Sequence, residues 1–211
     1  MEEQKTLIRN VVFDMGMVLL DYDPLLPCLR HAAGDEALAN RLCDAIFRHP
    51  EWGQYIDGGL ADDMSYLPRA EQRLSDPAER ALAKEILQDW HLDALFPNLR
   101  MRPVIQQLLE EGYHLYLLSN VGYSFQQFRY KMPFLNRFDG ILLSCEEKLL
   151  KPDTAIYNRL CQKFGLKAEE CLFVDDLQRN IDGAEAAGLH GHCFADGDIQ
   201  SLLAHLQSLN P

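Results

Sequence analysis

The feature that most constrains the fold is a short apolar run that ends in a carboxylate. Val11, Val12 and Phe13 are β-branched or aromatic, and Asp14 follows them directly. Such a run predicts a buried β-strand. An unpaired carboxylate is costly inside a core, so Asp14 is expected to face a crevice at the carboxyl end of the strand, where open α/β sheets bind ligands. We therefore take Asp14 as a candidate catalytic nucleophile.

Downstream, strand-like and helix-like segments alternate, with a loop expected over 14–23. This order implies βαβ units and hence the α/β class, with a doubly wound, Rossmann-like parallel sheet. Strands are predicted at 7–13, 113–118, 138–144, 171–174 and 190–194. Helices are predicted at 101–111, 123–131, 154–164, 181–187 and 199–209.

The region between the first two strands differs in character, because its apolar residues recur at helical spacing and no convincing strand is present. It predicts a helical bundle of about 75 residues inserted after the first strand. We therefore predict a core domain of residues 1–22 and 97–211 and a helical cap domain of residues 23–96. Because the cap leaves from the end of the first strand, it should cover the carboxyl edge of the sheet.

Composition narrows the class of partner. The formal net charge of −12 over 211 residues disfavours binding to nucleic acid or to anionic membrane surfaces, but not to a small phosphorylated substrate. The six cysteines form no C-x-x-C pair, which favours reduced thiols in a cytoplasmic protein. Residues 1–5 lack signal-peptide character, and no stretch reaches membrane-spanning length. The choice between monomer and homodimer stays open.

Polar residues follow three of the predicted strands. Asp14 follows the first, Ser119-Asn120 the second and Asp175-Asp176 the fourth, while Lys151 precedes a helix. These side chains can converge, because the carboxyl ends of parallel strands share one edge. Together they supply a nucleophile, acids that can bind a metal, a hydroxyl group and a lysine. That set suits phosphoryl transfer through an aspartyl-phosphate.

These residues also carry a resemblance to a known family. The chain resembles the haloacid dehalogenase-like (HAD) superfamily, whose four motifs appear in order. They are Phe13-Asp14-Met15-Gly16-Met17-Val18, Leu118-Ser119-Asn120, Lys151-Pro152-Asp153 and Phe173-Val174-Asp175-Asp176 continuing to Asn180. Within the superfamily it is similar to the subgroup of glucose-1-phosphate phosphatase and the N-terminal phosphatase domain of soluble epoxide hydrolase. The stretch from Trp52 to Gly59 supports that placement.

The resemblance implies a role for each matching residue. Asp14 would attack phosphorus. Mg²⁺ would be held by Asp14, the Gly16 carbonyl and Asp176, with Asp175 as a direct or water-mediated ligand. The phosphoryl oxygens would be held by Ser119, Lys151, the Asn120 N–H and the amides of Met15 and Gly16. The implied function is a Mg²⁺-dependent phosphatase acting on a small phosphorylated metabolite, with sugar phosphates as one candidate.

Gly16 departs from the family pattern, in which most phosphatases have a second Asp at this position. That acid protonates the leaving group, a contribution typically worth ~10²–10⁴-fold in rate. The enzyme could need a good leaving group, or another acid could substitute, such as a cap residue or Asp21. Trp52, Tyr55 and Asp57 are candidates for the substrate mouth. A catalytically weak or non-catalytic binding protein is the main alternative, and a dehalogenase or a phosphomutase is less favoured.

Overall fold

The computed structural model describes residues 7–210, and its centre is a five-stranded parallel sheet in the order β5-β4-β1-β6-β7. Apart from the edge strand at 190–193, which is only partly buried, the strands are mostly apolar and buried, as expected where helices cover both faces of a parallel sheet. They are β1 (Asn10–Phe13), β4 (His114–Ser119), β5 (Gly140–Leu143), β6 (Cys171–Asp175) and β7 (His190–Cys193). The predicted α/β class with a doubly wound sheet is confirmed.

Strand register brings the predicted site residues to one edge. Phe13 at the end of β1 pairs with Leu117 of β4 and with Val174 of β6. The chain runs outward from β1 to β4 and β5 and then returns to the opposite side for β6 and β7. The order therefore reverses beside β1, and open α/β sheets bind ligands at such a switch point.

Four of the five helices predicted in the Rossmann-like region lie within three residues of the expected bounds, and the single-turn helix at 144–147 was not predicted. The helices of this region are α6 (Met101–Glu110), α7 (Phe125–Phe128), α8 (Ser144–Glu147), α9 (Thr154–Phe164), α10 (Gln178–Ala186) and α11 (Ile199–Leu209). The prediction of one helix over 123–131 is wrong. Helix α7 is a single turn, and 3₁₀ turns follow at Arg129–Lys131 and Pro133–Arg137. Pro133 cannot donate the backbone hydrogen bond that a continuing helix requires.

The region predicted to be helical is helical. It contains α1 (Leu25–His31), α2 (Glu36–Ile46), α3 (Pro50–Trp52), a π-helical turn (Gly53–Asp57), α4 (Asp63–Glu71) and α5 (Pro77–Ala94). The side chains of Asp35, Asp62 and Asp76 each accept a hydrogen bond from a backbone N–H in the first turn of α2, α4 and α5. The domain division at 22/23 and 96/97 stays a prediction.

Two short strands were missed. The loop predicted over 14–23 contains β2 (Leu20–Tyr22), which pairs antiparallel with β3 (Leu95–Pro97) on the far side of the helical region. Three residues are too few to show a period-2 pattern, and the partner strand is remote in sequence. The first strand is also shorter than predicted, because it begins at Asn10.

Within residues 7–210, none of the helices combines the length and the apolar character needed to cross a bilayer. The interpretation of residues 1–5 lies outside the described residues.

Candidate active site

Asp14 lies at the mouth of a tight loop that leaves β1. Its backbone N–H donates to the Val174 carbonyl over 2.8 Å, which continues the sheet pairing one residue beyond the strand. The Met15 carbonyl accepts from the N–H groups of Leu19 and Leu20, both at 2.8 Å. These hydrogen bonds turn the backbone back directly after Asp14, so the strand ends there. The Asp14 side chain therefore lies at the edge of the sheet.

Lys151 is buried between two carboxylates. Its Nζ lies 2.7 Å from Asp14 Oδ1 and 2.7 Å from Asp175 Oδ2, and it donates to the Leu118 carbonyl at 3.3 Å. Burial alone would lower the pKa of Lys151, because it disfavours the charged ammonium. The charges and hydrogen bonds of the two carboxylates have the larger effect, and the pKa of Lys151 is raised. The lysine is therefore a fixed positive charge at the centre of the cluster.

Three carboxylates form a candidate metal site. Oxygen atoms of Asp14, Asp175 and Asp176 all lie within 4.8 Å of one another. Burial, reinforced by the Asp175 charge and opposed by Lys151, raises the pKa of Asp14 to about 6. Burial and Asp175 also raise the pKa of Asp176. Carboxylates crowded in this way fit a hard divalent cation such as Mg²⁺, whose charge offsets their repulsion.

Asn180 holds Asp175 in place from the next helix. Its Nδ2 donates to both Asp175 carboxylate oxygens, at 2.9 and 3.0 Å, and the Leu177 N–H adds a bond of 2.9 Å to Oδ1. Charge-assisted bonds of this kind fix the orientation of a carboxylate. The motif that continues from Asp176 to Asn180 thus fixes the orientation of the Asp175 carboxylate.

Asn120 ties the end of β4 to the loop that carries Lys151. Its Nδ2 donates to the Lys151 carbonyl at 3.0 Å, and its Oδ1 accepts from the Lys151 N–H at 2.9 Å. Ser119 is 1% exposed and lies in the wall of the same cavity as Asp14. Of the residues expected to bind phosphate, Met15, Gly16, Ser119 and Asn120 line this cavity with Asp14. Lys151 is not part of the lining and contacts Asp14 from the buried side.

Gly16 has room for a side chain. A Cβ built at this position meets no atom of the described residues within 4 Å. Packing therefore does not explain the missing second acid.

The other wall of this cavity of about 200 Å³ is mostly apolar. Its residues are Leu20, Tyr22, Phe47, Trp52, Asp57, Trp90, Leu95, Val121 and Phe128. Trp52 packs edge-on against Phe47, Trp90 and Tyr66, with ring centroids 4.8, 5.9 and 5.4 Å apart. Of the three candidates for the substrate mouth, Trp52 and Asp57 face the cavity. Tyr55 does not line it and lies under the Arg69 guanidinium at 3.6 Å.

Asp21 does not belong to the site. It is exposed on β2 and does not line the cavity, although Tyr22 beside it does. In a β-strand, neighbouring side chains point to opposite faces, which separates the two. The hypothesis that Asp21 replaces the missing acid is therefore wrong, because the Asp21 side chain does not line the cavity.

Sequence reasoning missed Ser144, which connects three segments behind the cavity. Its Oγ accepts from the Val121 N–H at 2.9 Å and donates to the Asp57 carbonyl at 2.6 Å. Ser144 is the last residue of the strand predicted at 138–144, and Ser119 directly follows the strand predicted at 113–118. That position was the available signal, but nothing in the sequence predicts a contact with Asp57.

The site combines a carboxylate, a buried lysine and an acid pair at the edge of a parallel sheet, as in a hydrolase that uses an aspartate. The family model for haloacid dehalogenase-like hydrolases matches residues 8–188, and the chain therefore belongs to that family. It is 27% identical over 192 residues to a sesquiterpene phosphatase of Aspergillus oryzae, covering 90% of this chain and 92% of the relative. It is 29% identical over 185 residues to a D-ribitol-5-phosphate phosphatase of Bacteroides thetaiotaomicron, covering 83% and 86%.

A solved HAD-family enzyme of Bacteroides thetaiotaomicron shares the fold. The TM-score is 0.69 at 19% identity, covering 88% of this chain and 93% of that one. That structure is of an alanine variant at an aspartate, in complex with magnesium and inorganic phosphate.

Proposed function

We propose that the protein is a Mg²⁺-dependent phosphatase that hydrolyses a small phosphorylated metabolite through an aspartyl-phosphate on Asp14. The observation that carries this proposal is the position of Lys151, clamped between Asp14 and Asp175 beside a third acid. A dianionic phosphate needs positive charge at the point of attack, and a buried lysine supplies part of it.

Each site residue has a role in the proposed reaction. A carboxylate oxygen of Asp14 attacks phosphorus while the bond from phosphorus to the ester oxygen breaks, and water later releases inorganic phosphate from Asp14. Ser119, Lys151 and the backbone N–H groups of Met15, Gly16 and Asn120 bind the phosphoryl oxygens. Asn180 acts by positioning Asp175.

Mg²⁺ would be held by Asp14, Asp176 and the Gly16 carbonyl, with Asp175 as a direct or water-mediated ligand. When bound, it would neutralise charge between the nucleophile and the phosphate. The crowding of three carboxylates supports this assignment.

The relatives support a phosphatase and leave the organic part of the substrate open. One is named for a sesquiterpene, which is a hydrocarbon skeleton, and another for ribitol 5-phosphate, which carries several hydroxyl groups. The relatives therefore do not test the expectation of a sugar phosphate. The core and cap boundaries and a cytoplasmic location stay predictions.

A non-catalytic binding protein is the second candidate, because Gly16 provides no acid. The acid pair Asp175-Asp176 disfavours a dehalogenase, which attacks carbon and needs no metal.

An assay of the purified protein distinguishes a phosphatase from a non-catalytic binding protein. It measures turnover of a panel of phosphate esters with Mg²⁺ and with a chelator. We expect turnover that requires Mg²⁺ and is abolished in Asp14→Asn. Asp21→Asn is the matched control, since Asp21 is an exposed carboxylate near the same loop. Equal rates for wild type and Asp14→Asn would exclude the proposed nucleophile, and an absence of turnover on every ester would favour the binding protein.

A further inference from the structure

The cavity separates into a polar end and an apolar end. Asp14, Met15, Gly16, Ser119 and Asn120 form the end that would hold phosphate. Beyond them the wall consists of aromatic and aliphatic side chains, and among the described residues no Arg, Lys, His, Ser, Thr or amide side chain joins it.

The polar groups at the apolar end are few. The Trp90 indole N–H is already used, because it donates to Asp63 Oδ2 at 2.7 Å. The Tyr22 hydroxyl, the Trp52 indole and the Asp57 carboxyl are what remain among the lining side chains. A sugar or polyol that enters must give up several hydrogen bonds to water, and each unpaired buried hydroxyl opposes binding.

We propose that the preferred substrate is a phosphate monoester of an apolar alcohol, such as a benzyl or a short prenyl phosphate, and not a sugar or polyol phosphate. This inference rests on the proposed function and names the substrate class of the same site. Aromatic walls gain most from excluding water around an apolar group.

The test compares kcat/KM for benzyl phosphate and dimethylallyl phosphate with that for ribitol 5-phosphate and glucose 6-phosphate. All four are esters of primary alcohols. We expect a preference on the order of 100-fold for the apolar pair, which is the discrimination that a hydrophobic pocket achieves. Equal or higher kcat/KM for the sugar and polyol esters would overturn the inference and leave the phosphatase intact. If none of the four esters is turned over in a Mg²⁺-dependent way, the proposed function fails with it.

Two variants at Tyr22 test whether the aromatic wall of the cavity causes the preference for apolar esters. Tyr22→Asn should lower the ratio of benzyl to ribitol kcat/KM by roughly tenfold, and Tyr22→Phe, which keeps the ring, should preserve it. The ratio does not depend on the fraction of folded enzyme, so partial misfolding does not obscure the result. An unchanged ratio in Tyr22→Asn would contradict this assignment.

A second inference rests on a different observation, the position of the Asp57 carboxyl. Asp57 lines the cavity together with Asp14 and Gly16, and no group of the described residues donates a hydrogen bond to its side chain. It ends the π-helical turn of residues 53–57, a rare conformation that is often found at functional sites.

The Asp57 segment is fastened to the end of the sheet. Ser144 donates to the Asp57 carbonyl, and Lys148 Nζ and the Tyr123 hydroxyl both donate to the Gly59 carbonyl. Gly122 packs against Ile56 so closely that a Cβ there would come within 2.4 Å of its side chain. The carboxyl is thus presented on a fixed backbone.

The geometry points to Asp57 as the general acid and base that replaces the acid missing at Gly16. As the Asp14 carboxylate bonds to phosphorus and the bond to the ester oxygen breaks, the Asp57 carboxyl gives its proton to that oxygen, and a neutral alcohol leaves. The resulting Asp57 carboxylate then takes a proton from the water that attacks phosphorus. Inorganic phosphate departs, Asp14 is restored as a carboxylate, and Asp57 is protonated again.

The surroundings of Asp57 suit this cycle. Burial, followed by the charges of Asp63 and Asp14, raises the pKa of Asp57 from its ordinary value of 3.8 to about 7, against the opposing effect of Lys151. An acid that titrates near the working pH can both give and take a proton.

The test uses two esters that differ in their need for an acid. Benzyl phosphate releases a poor leaving group, whereas 4-nitrophenyl phosphate releases one that needs no proton. In Asp57→Asn, kcat/KM for benzyl phosphate should fall by ~10²-fold or more, and at least tenfold further than for 4-nitrophenyl phosphate. The control Asp21→Asn should leave the ratio of the two esters unchanged.

Adding Gly16→Asp to Asp57→Asn should recover activity on benzyl phosphate, because a Cβ at position 16 meets no atom of the described residues within 4 Å and the new carboxyl restores an acid to the same cavity. Equal loss on both esters, or no recovery in a folded double variant, would mean that Asp57 only shapes the cavity and would overturn the inference.

Discussion

Among residues 7–210, Lys151 is the one cation that contacts both Asp14 and Asp175, and replacing it with methionine removes that charge. The side chains of the lysine and the two acids are only 1%, 11% and 0% exposed. Deleting one partner of a buried ion pair typically costs about 3–5 kcal/mol, because a charge is left without compensation. We therefore expect the free energy of unfolding of Lys151→Met to be about 3 kcal/mol lower than that of wild type at pH 8 without metal.

The loss should depend on pH in a defined direction. Without the lysine, the pKa of Asp14 must rise above the value of about 6 that it has in the intact cluster. A carboxyl whose folded pKa is raised destabilises the fold increasingly as pH rises above its unfolded pKa, by at most about 1.4 kcal/mol per pH unit. The stability deficit should therefore be smaller at pH 6 than at pH 8, by about 1–2 kcal/mol.

Urea unfolding at both pH values, with a chelator and again with Mg²⁺, measures these terms. Mg²⁺ should stabilise Lys151→Met as it does wild type, because the cation supplies charge to the same carboxylates. Lys163→Met is the matched control. Its ion pair with Glu147 lies near the surface, so we expect a loss below about 1 kcal/mol. A loss of that size in Lys151→Met, unchanged between pH 6 and pH 8, would refute the reasoning.

Two further predictions concern stability. Because the pKa of Asp57 is raised to about 7, its ionisation opposes folding above pH 3.8 and does so fully above pH 7. The stability of Asp57→Asn relative to wild type should thus improve by about 1–2 kcal/mol from pH 5.5 to pH 8 in urea unfolding without metal, and a constant difference would contradict the assignment. Gly183→Ala should lose about 1–3 kcal/mol in the same assay, because its Cβ would lie 2.3 Å from the Pro152 carbonyl oxygen. Gly16→Ala, which meets no such contact, is its control, and equal losses in the two variants would contradict this packing argument.

The sheet and its polar edge were predictable because they depend on local signals. A short apolar run followed by Asp14, and another followed by Asp175, give both the strand and the position of the acid. Parallel strands need no further information to bring those acids together. The clamp of Lys151 between them follows from the loop that Asn120 fastens to the end of β4, and the sequence shows that loop only as a motif.

The aromatic wall could not be predicted in the same way. Tyr22, Trp52, Trp90 and Phe128 come from four separate segments, and helical periodicity marks such residues as buried without saying which partners they meet. The orientation of Asp57 depends on one extra residue in a π-helical turn, which no pattern in the chain predicts.

The most direct test of the proposed mechanism is to look for the phosphoryl group on the protein during turnover. The enzyme is mixed with benzyl phosphate and Mg²⁺, quenched with acid within milliseconds, and its peptides are analysed by mass spectrometry. The mechanism predicts an added phosphoryl group on the peptide that contains Asp14, with the modification at Asp14 itself and none in Asp14→Asn. Release of inorganic phosphate without any modified Asp14, or an equal signal from Asp14→Asn, would contradict it.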